Sequence, residues 1–199
     1  MKLVEKTVTD FLAAIRAPEP TPGGGSAAAL AGAAGASLFA MVAGLPKSRA
    51  ATAEDAARLK AAGERCTALA DELATLIDRD SEAYGHVMAA YRKPKSTDEE
   101  KAIRSAAIQD AMRTAIAAPL DVMRACAAAA EQGVVIAALG NPSASSDGQV
   151  GFELLGAALR GAKLNVEINL ESVKDATYAG KVRREIEELG RGVGEIKAP

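Results

Sequence analysis

Between Ser26 and Leu45 the chain runs through twenty residues without one charged side chain. Ala, Gly and Ser dominate the run, and only Leu30, Leu38, Phe39, Met41, Val42 and Leu45 are large. Such a segment is long enough for a bilayer, but its small side chains gain little from lipid. It suits the middle of a bundle, where Ala and Gly let neighbouring helices approach closely. The rest of the chain must then supply helices to surround it, and no membrane insertion is expected. Alanine makes up roughly a quarter of the sequence, far above ordinary usage, and it is the best helix former.

Helical spacing recurs along the whole length. Val4, Val8, Phe11, Leu12 and Ile15 mark a helix over Leu3 to Ala17, ended by Pro18 to Gly25. Ser26 is the expected N-cap of the uncharged helix, and Gly44-Leu45-Pro46 ends it. A long helix over Thr52 to Tyr91 carries the apolar stripe Leu59, Cys66, Leu69, Leu73, Leu76, Ile77. Thr97 with Glu100 forms a capping box for the next helix, which runs towards Gln132 with a kink or boundary at Pro119. Gly133 is expected to interrupt it before a short apolar run, Val134 to Leu139. A polar loop, 140–148, leads into a helix started by Ser146 and reaching about Asn169. A charged helix over Ser172 to Leu189 and a loose tail, 190–199, complete the chain. No alternating strand pattern stands out. The expected fold is all-α, an elongated bundle of long antiparallel helices in a single domain, 1–199, with apolar surface left over for self-association.

Charge and cysteine content exclude several classes. Net charge is −2, so there is no basic excess for nucleic acid. One histidine and two distant cysteines, Cys66 and Cys126, offer no metal-ligand spacing, so no metal is expected. Free thiols and the absence of an apolar signal core after Met1 to Lys6 fit a cytoplasmic location.

Four polar constellations are poorly explained by stability alone. Pro22-Gly23-Gly24-Gly25-Ser26 stands at a helix N-terminus, where free N–H groups favour an anion or a polar ligand. It reads equally as a plain turn, and it lacks the Lys-Ser/Thr of a phosphate loop. Asp80 continues the inward row of Leu73, Leu76 and Ile77, with Tyr84 four residues on along the same face. An inward carboxylate is costly unless paired or used. His86, six residues from Asp80, points elsewhere around the helix and reads as structural. Asn141, Ser146 and Asp147 occupy the 140–148 loop, which also reads as a helix start. Asn165 and Asn169, one turn apart inside a helix, call for specific partners.

Taken in order, PTPGGGS at 20–26, DSEAY at 80–84, KPK at 93–95, Arg104, the Gly140-Asn141 to Ser146-Asp147 loop and NVEINL at 165–170 resemble the cyclodeaminase/cyclohydrolase family of folate enzymes. That family includes stand-alone methenyltetrahydrofolate cyclohydrolases and the C-terminal half of formiminotransferase-cyclodeaminases. The resemblance implies an all-helical homodimer with its site near the subunit interface and a tetrahydrofolate derivative as substrate. No cofactor or metal is implied. Without a formiminotransferase stretch in the 199 residues, the stand-alone cyclohydrolase is the expectation. Under that resemblance Asp80 is the first choice for general base and Asp147 the second. Tyr84 orients the carboxylate or the water, and Asn141, Asn165 and Asn169 bind the pterin edge or the bridge nitrogens. The Gly23–Ser26 turn lies against the ligand, and Lys93, Lys95 and Arg104 attract the glutamate tail. Cyclodeamination of the formimino substrate, or a non-catalytic binding or dimerisation module, are the alternatives.

Overall fold

The computed structural model describes residues 2–195. Within them lie six α-helices: α1 (Val8–Arg16), α2 (Gly24–Gly44), α3 (Ala53–Tyr91), α4 (Asp98–Leu139), α5 (Ser145–Leu170) and α6 (Ala176–Glu195). There is no strand among the described residues, and the all-α expectation holds. α2, α3, α4 and α5 run alternately up and down, joined by short loops. Each touches its two neighbours in a ring, and α2 also reaches α4 across the centre. α3 and α4, at 1.5 Å per residue, are ~58 and ~63 Å long. They outrun the other two and project as a hairpin with its own small core of Ala83, Val87, Ile108 and Met112.

Small side chains make this bundle possible. Ala29 and Ala36 of α2 are completely buried. A Cβ on Gly32 would press on Cys126 and Leu73, and one on Gly35 would meet the Gly151 carbonyl of α5. Phe39 of α2 and Phe152 of α5 pack edge to face at 4.7 Å. α2 and α4 are long and apolar enough to cross a membrane by length and composition, but both carry buried faces within the bundle. Cys66 and Cys126 are wholly enclosed, and burial pushes both thiols up to about 12.

Several boundaries differ from the sequence reading. The first helix divides into a 3₁₀ turn, Leu3–Glu5, and α1, because Thr7 caps the N–H of Asp10. Gly23, not Ser26, is the N-cap of α2. Gly133 does not interrupt α4. It sits opposite the Phe39 and Phe152 rings, where no Cβ fits, so this glycine is a packing residue rather than a breaker. Pro119 is likewise inside the continuous helix. α5 starts at Ser145, after a 3₁₀ turn Pro142–Ala144, so Ser146 is already in its first turn. α6 continues to Glu195, so 190–195 is helical rather than loose; 196–199 lie outside the described residues.

Candidate functional site

The glycine turn and Asp80 meet although 54 residues separate Ser26 from Asp80. Gly24 to Ser26 form the first turn of α2, whose amide groups have no partner within the helix. α3 passes this end, and the Asp80 carboxylate accepts the Ser26 backbone N–H at 3.1 Å. The Ser26 hydroxyl donates to the Ile77 carbonyl at 2.8 Å, and it lies 3.4 Å from Asp80 Oδ2 and 3.3 Å from the Ser81 hydroxyl. It has a single proton, which the shorter contact takes, so Asp80 gains little from it. The Asp80 carboxylate also occupies the space that a side chain on Gly25 would need. Gly25 is therefore required by close approach, not by its backbone angles.

Burial raises the Asp80 pKa above the ordinary carboxylate value, and the hydrogen bond from Ser26, chiefly its backbone N–H, opposes that rise without cancelling it. Asp80 makes no ion pair among the described residues. A half-buried carboxylate held at a helix N-terminus, without a cation of its own, is suited to meet a positively charged ligand and to take a proton from it or from water. Among the described residues no cluster of His, Cys, Asp and Glu could hold a metal ion.

The other candidate residues fall into three groups. Asn165 is beside the turn: a Cβ on Gly24 would lie 3.7 Å from Asn165 Nδ2. That Nδ2 donates to the Gly161 carbonyl at 2.8 Å, while Oδ1 has no partner among the described residues. Asn169 turns the other way and ties α5 to α4 through the Ala115 carbonyl at 3.0 Å. Pro22 is buried beneath the turn, and Tyr84 is exposed one turn beyond Asp80. His86 is exposed on α3.

Further along the hairpin, Lys95 and Arg104 line an open cleft with Tyr91, Lys101 and Lys174. Arg104 donates to the Tyr91 carbonyl at 3.1 Å and stacks 5.4 Å from the centre of its ring. Gln109 bonds the Ser172 carbonyl and the Lys174 N–H, which holds the α5–α6 loop against the cleft. Lys93 is exposed on the loop before it. Tyr91 is eleven residues from Asp80, so the cleft starts ~16 Å along α3 from the carboxylate.

Asn141, Ser146 and Asp147 lie at the opposite end of the bundle. Asn141 ties two loops together, donating to the Pro46 carbonyl between α2 and α3 at 2.7 Å and accepting from the Ser143 N–H of its own loop at 2.8 Å. It lines a cavity of about 340 Å³ with Arg49, Ser145, Gln149 and Phe152. Asp147 and Asn165 are eighteen residues apart on one straight helix, ~27 Å. One chain therefore gathers Asp80, the glycine turn and Asn165, but not Asp147. Sequence reasoning named Ser81 only within DSEAY and gave it no role, and it missed Arg49, Lys101 and Lys174, which are isolated polar residues without a pattern.

An up-down helical bundle with a half-buried, unpaired carboxylate at a glycine-rich helix start has the makings of a small-molecule site, and comparison with known proteins gives the class. Residues 7–188 match the family described as formiminotransferase-cyclodeaminase, and the chain belongs to that family. It is 40% identical to a methenyltetrahydrofolate cyclohydrolase of Methylorubrum extorquens, over 96% of this chain and 92% of that one. It is 32% identical to the formimidoyltransferase-cyclodeaminase of Sus scrofa over 94% of this chain, spanning 35% of that longer protein. The crystal structure of a formiminotetrahydrofolate cyclodeaminase from Thermotoga maritima superposes with a TM-score of 0.84 at 27% identity, covering 96% of this chain and 91% of that one.

Proposed function

We propose that the protein hydrolyses 5,10-methenyltetrahydrofolate to 10-formyltetrahydrofolate. The observation that carries this reading is Asp80: a desolvated carboxylate without a cation, anchored on the α2 N-terminus beside Asn165, in a chain so similar to a methenyltetrahydrofolate cyclohydrolase. The bridge carbon of the substrate is an amidinium-like cation between two nitrogens. Water adds its oxygen to that carbon, and Asp80 takes one of its protons. The bond from the tetrahedral carbon to N5 then breaks as N5 takes the proton back from Asp80. The remaining hydroxyl proton leaves to solvent as the formyl group forms on N10. Before attack, the carboxylate also stabilises the cation.

The Asn165 amide oxygen faces the ligand, and Tyr84 orients the carboxylate or the water. The basic cleft with Lys95 and Arg104 receives the glutamate tail, with Lys93 at its approach. The reading needs no cofactor or metal, and it places the protein in the cytoplasm as a homodimer away from membrane and nucleic acid. The related second reaction, ring closure of the formimino substrate with loss of ammonia, is favoured by the Thermotoga maritima likeness. The deciding measurement is loss of the methenyl near-ultraviolet absorbance with purified protein, set against ammonia release from 5-formiminotetrahydrofolate. Ammonia release without methenyl hydrolysis would replace the first reaction with the second.

A further inference from the structure

The 172–175 connection between α5 and α6 is gripped by one row of α4 side chains. Ser105, Gln109 and Arg113 stand four apart, so they share a face ~12 Å long. Each holds a different part of the connection. The Gln109 amide donates to the Ser172 carbonyl at 3.0 Å and accepts the Lys174 N–H at 2.8 Å. Arg113 pairs with Asp175 at 2.9 Å, and the other oxygen of that carboxylate accepts the Tyr178 N–H in the first turn of α6. The Ser105 hydroxyl accepts from the Lys174 ammonium at 2.9 Å. Residue type matters at position 109. The connection offers it a C=O and an N–H, and a side-chain amide answers both without charge. A carboxylate lacks the donor, and an ammonium lacks the acceptor. The N–H groups of Ser172 and Val173 are already bonded back to the Asn169 and Leu170 carbonyls of α5, at 3.2 Å each. Lys174 carries the next N–H along, and Gln109 takes it.

The fold does not depend on this clamp. Val173 packs against both hydrophobic clusters, and α6 is seated through buried Ala179, Val182 and Ile186. What the clamp fixes is the point from which the Lys174 side chain leaves the backbone. Ser105 then holds the other end of that side chain. A lysine that meets a ligand ordinarily loses much rotamer freedom, and restraint beforehand lowers that cost. Ser105 is also neutral, so the ammonium keeps its charge for a ligand, whereas Lys101 is paired with Asp98 and Arg113 with Asp175. Lys174 lines the open cleft with Lys95 and Arg104. We propose that Gln109 is a positioning residue of this cleft: with Ser105 it holds the Lys174 ammonium ready for the carboxylates of an anionic tail, and it acts on tail binding only through Lys174. The inference rests on the cyclohydrolase reading for the identity of the tail. Because the two residues act as a unit, their effects on tail binding do not add.

The test is a double-mutant cycle. Gln109→Leu keeps the length of the side chain and removes both hydrogen bonds. It should raise KM for a pentaglutamyl substrate about two- to fivefold, the range of an exposed charge contact, with kcat unchanged and with KM for the monoglutamate unchanged. Lys174→Ala should raise the pentaglutamate KM at least as much, and adding Gln109→Leu to it should change nothing further. A Gln109→Leu variant like wild type, one that loses kcat or monoglutamate affinity, or one whose full effect persists on top of Lys174→Ala would overturn the proposal. The same cycle is then run without turnover, by nuclear magnetic resonance titration of isotopically labelled protein with γ-linked pentaglutamate alone. Wild-type protein should bind it and shift the Lys174 amide resonance, Gln109→Leu should weaken binding by the same factor, and the effect should again disappear in Lys174→Ala. Wild-type protein that binds no pentaglutamate would overturn the proposal. Wild-type protein that binds pentaglutamate but hydrolyses no methenyl substrate sinks the cyclohydrolase reading instead, and the titration still decides the role of Gln109.

Discussion

In the proposed reaction the chemistry rests on Asp80 and the residues that hold it. Asp80→Asn keeps the shape and can still accept the Ser26 N–H, but it takes no proton and carries no charge. General bases contribute ~10²–10⁴-fold, so steady-state hydrolysis should fall at least about a hundredfold with an unchanged circular dichroism spectrum. Asp147→Asn should cost less, because Asp147 lies in the first turn of α5, at the opposite end of the bundle from Asp80. The Asp80 pKa is raised in the folded protein, so kcat/KM should fall as pH drops through that raised value, and this limb should vanish in Asp80→Asn. The same shift has a stability consequence of known sign. Between the ordinary carboxylate value and the raised one, the folded state binds a proton that the unfolded chain has released. Stability therefore rises as pH falls through the folded value, and at neutral pH the charged Asp80 weakens the fold. Asp80→Asn should melt at or above the wild-type temperature at pH 7; a clear fall would assign Asp80 a structural rather than a catalytic duty. Gly25→Ala should behave in the opposite way, losing activity and stability together as its methyl displaces the carboxylate.

At the level of elements, two helical glycines separate the effects of propensity and packing. Gly85 of α3 has open space where an alanine methyl would stand, with nothing within 4 Å, so Gly85→Ala should gain about 0.5–1 kcal/mol of unfolding free energy. Gly133 of α4 gains the same propensity, but its methyl meets the Phe39 and Phe152 rings, and overpacking costs about 1–3 kcal/mol. Denaturant midpoints should therefore move in opposite directions for the two variants. The same contrast explains what could be read from the sequence. Periodicity and capping are local, so the long helices, the Thr52 and Thr97 caps and the all-α fold were legible. Whether a glycine breaks a helix depends on what faces it, and Phe39 is nearly a hundred residues from Gly133, so that reading failed. The Asp80 row was visible as a carboxylate on an inward face. Its partner was not, because Ser26 looked like a cap for its own helix when its N–H is capped from α3. Asn169 was visible only as an anomaly, and the Ala115 carbonyl of α4 accounts for it.

Across the whole molecule the bundle sorts charge by position. The uncharged α2 and the carboxylate lie at the base of the α3–α4 hairpin, and the cations Lys95, Lys101, Arg104 and Lys174 line the cleft further out. The polyanionic glutamate tail of a folate would follow that gradient outward, while the cationic bridge carbon stays with Asp80. Not all four cations are equally free to meet it: Lys101 pairs with Asp98, and Arg104 is held by Tyr91. Lys174 donates to the Ser105 hydroxyl, a neutral partner that leaves its charge available, and Lys95 is exposed. Exposed ion pairs contribute about 0.2–1 kcal/mol each, so replacing both Lys95 and Lys174 with Ala should raise KM by ~2–30-fold for substrates with several glutamates. The effect should be small for a monoglutamate, and kcat should not change, because the cleft starts ~16 Å along α3 from Asp80. At 1 M salt the Debye length shrinks to ~3 Å, and the double variant and the wild type should converge in KM. A KM that ignores both tail length and salt would remove the cleft from the site and leave the tail in solvent.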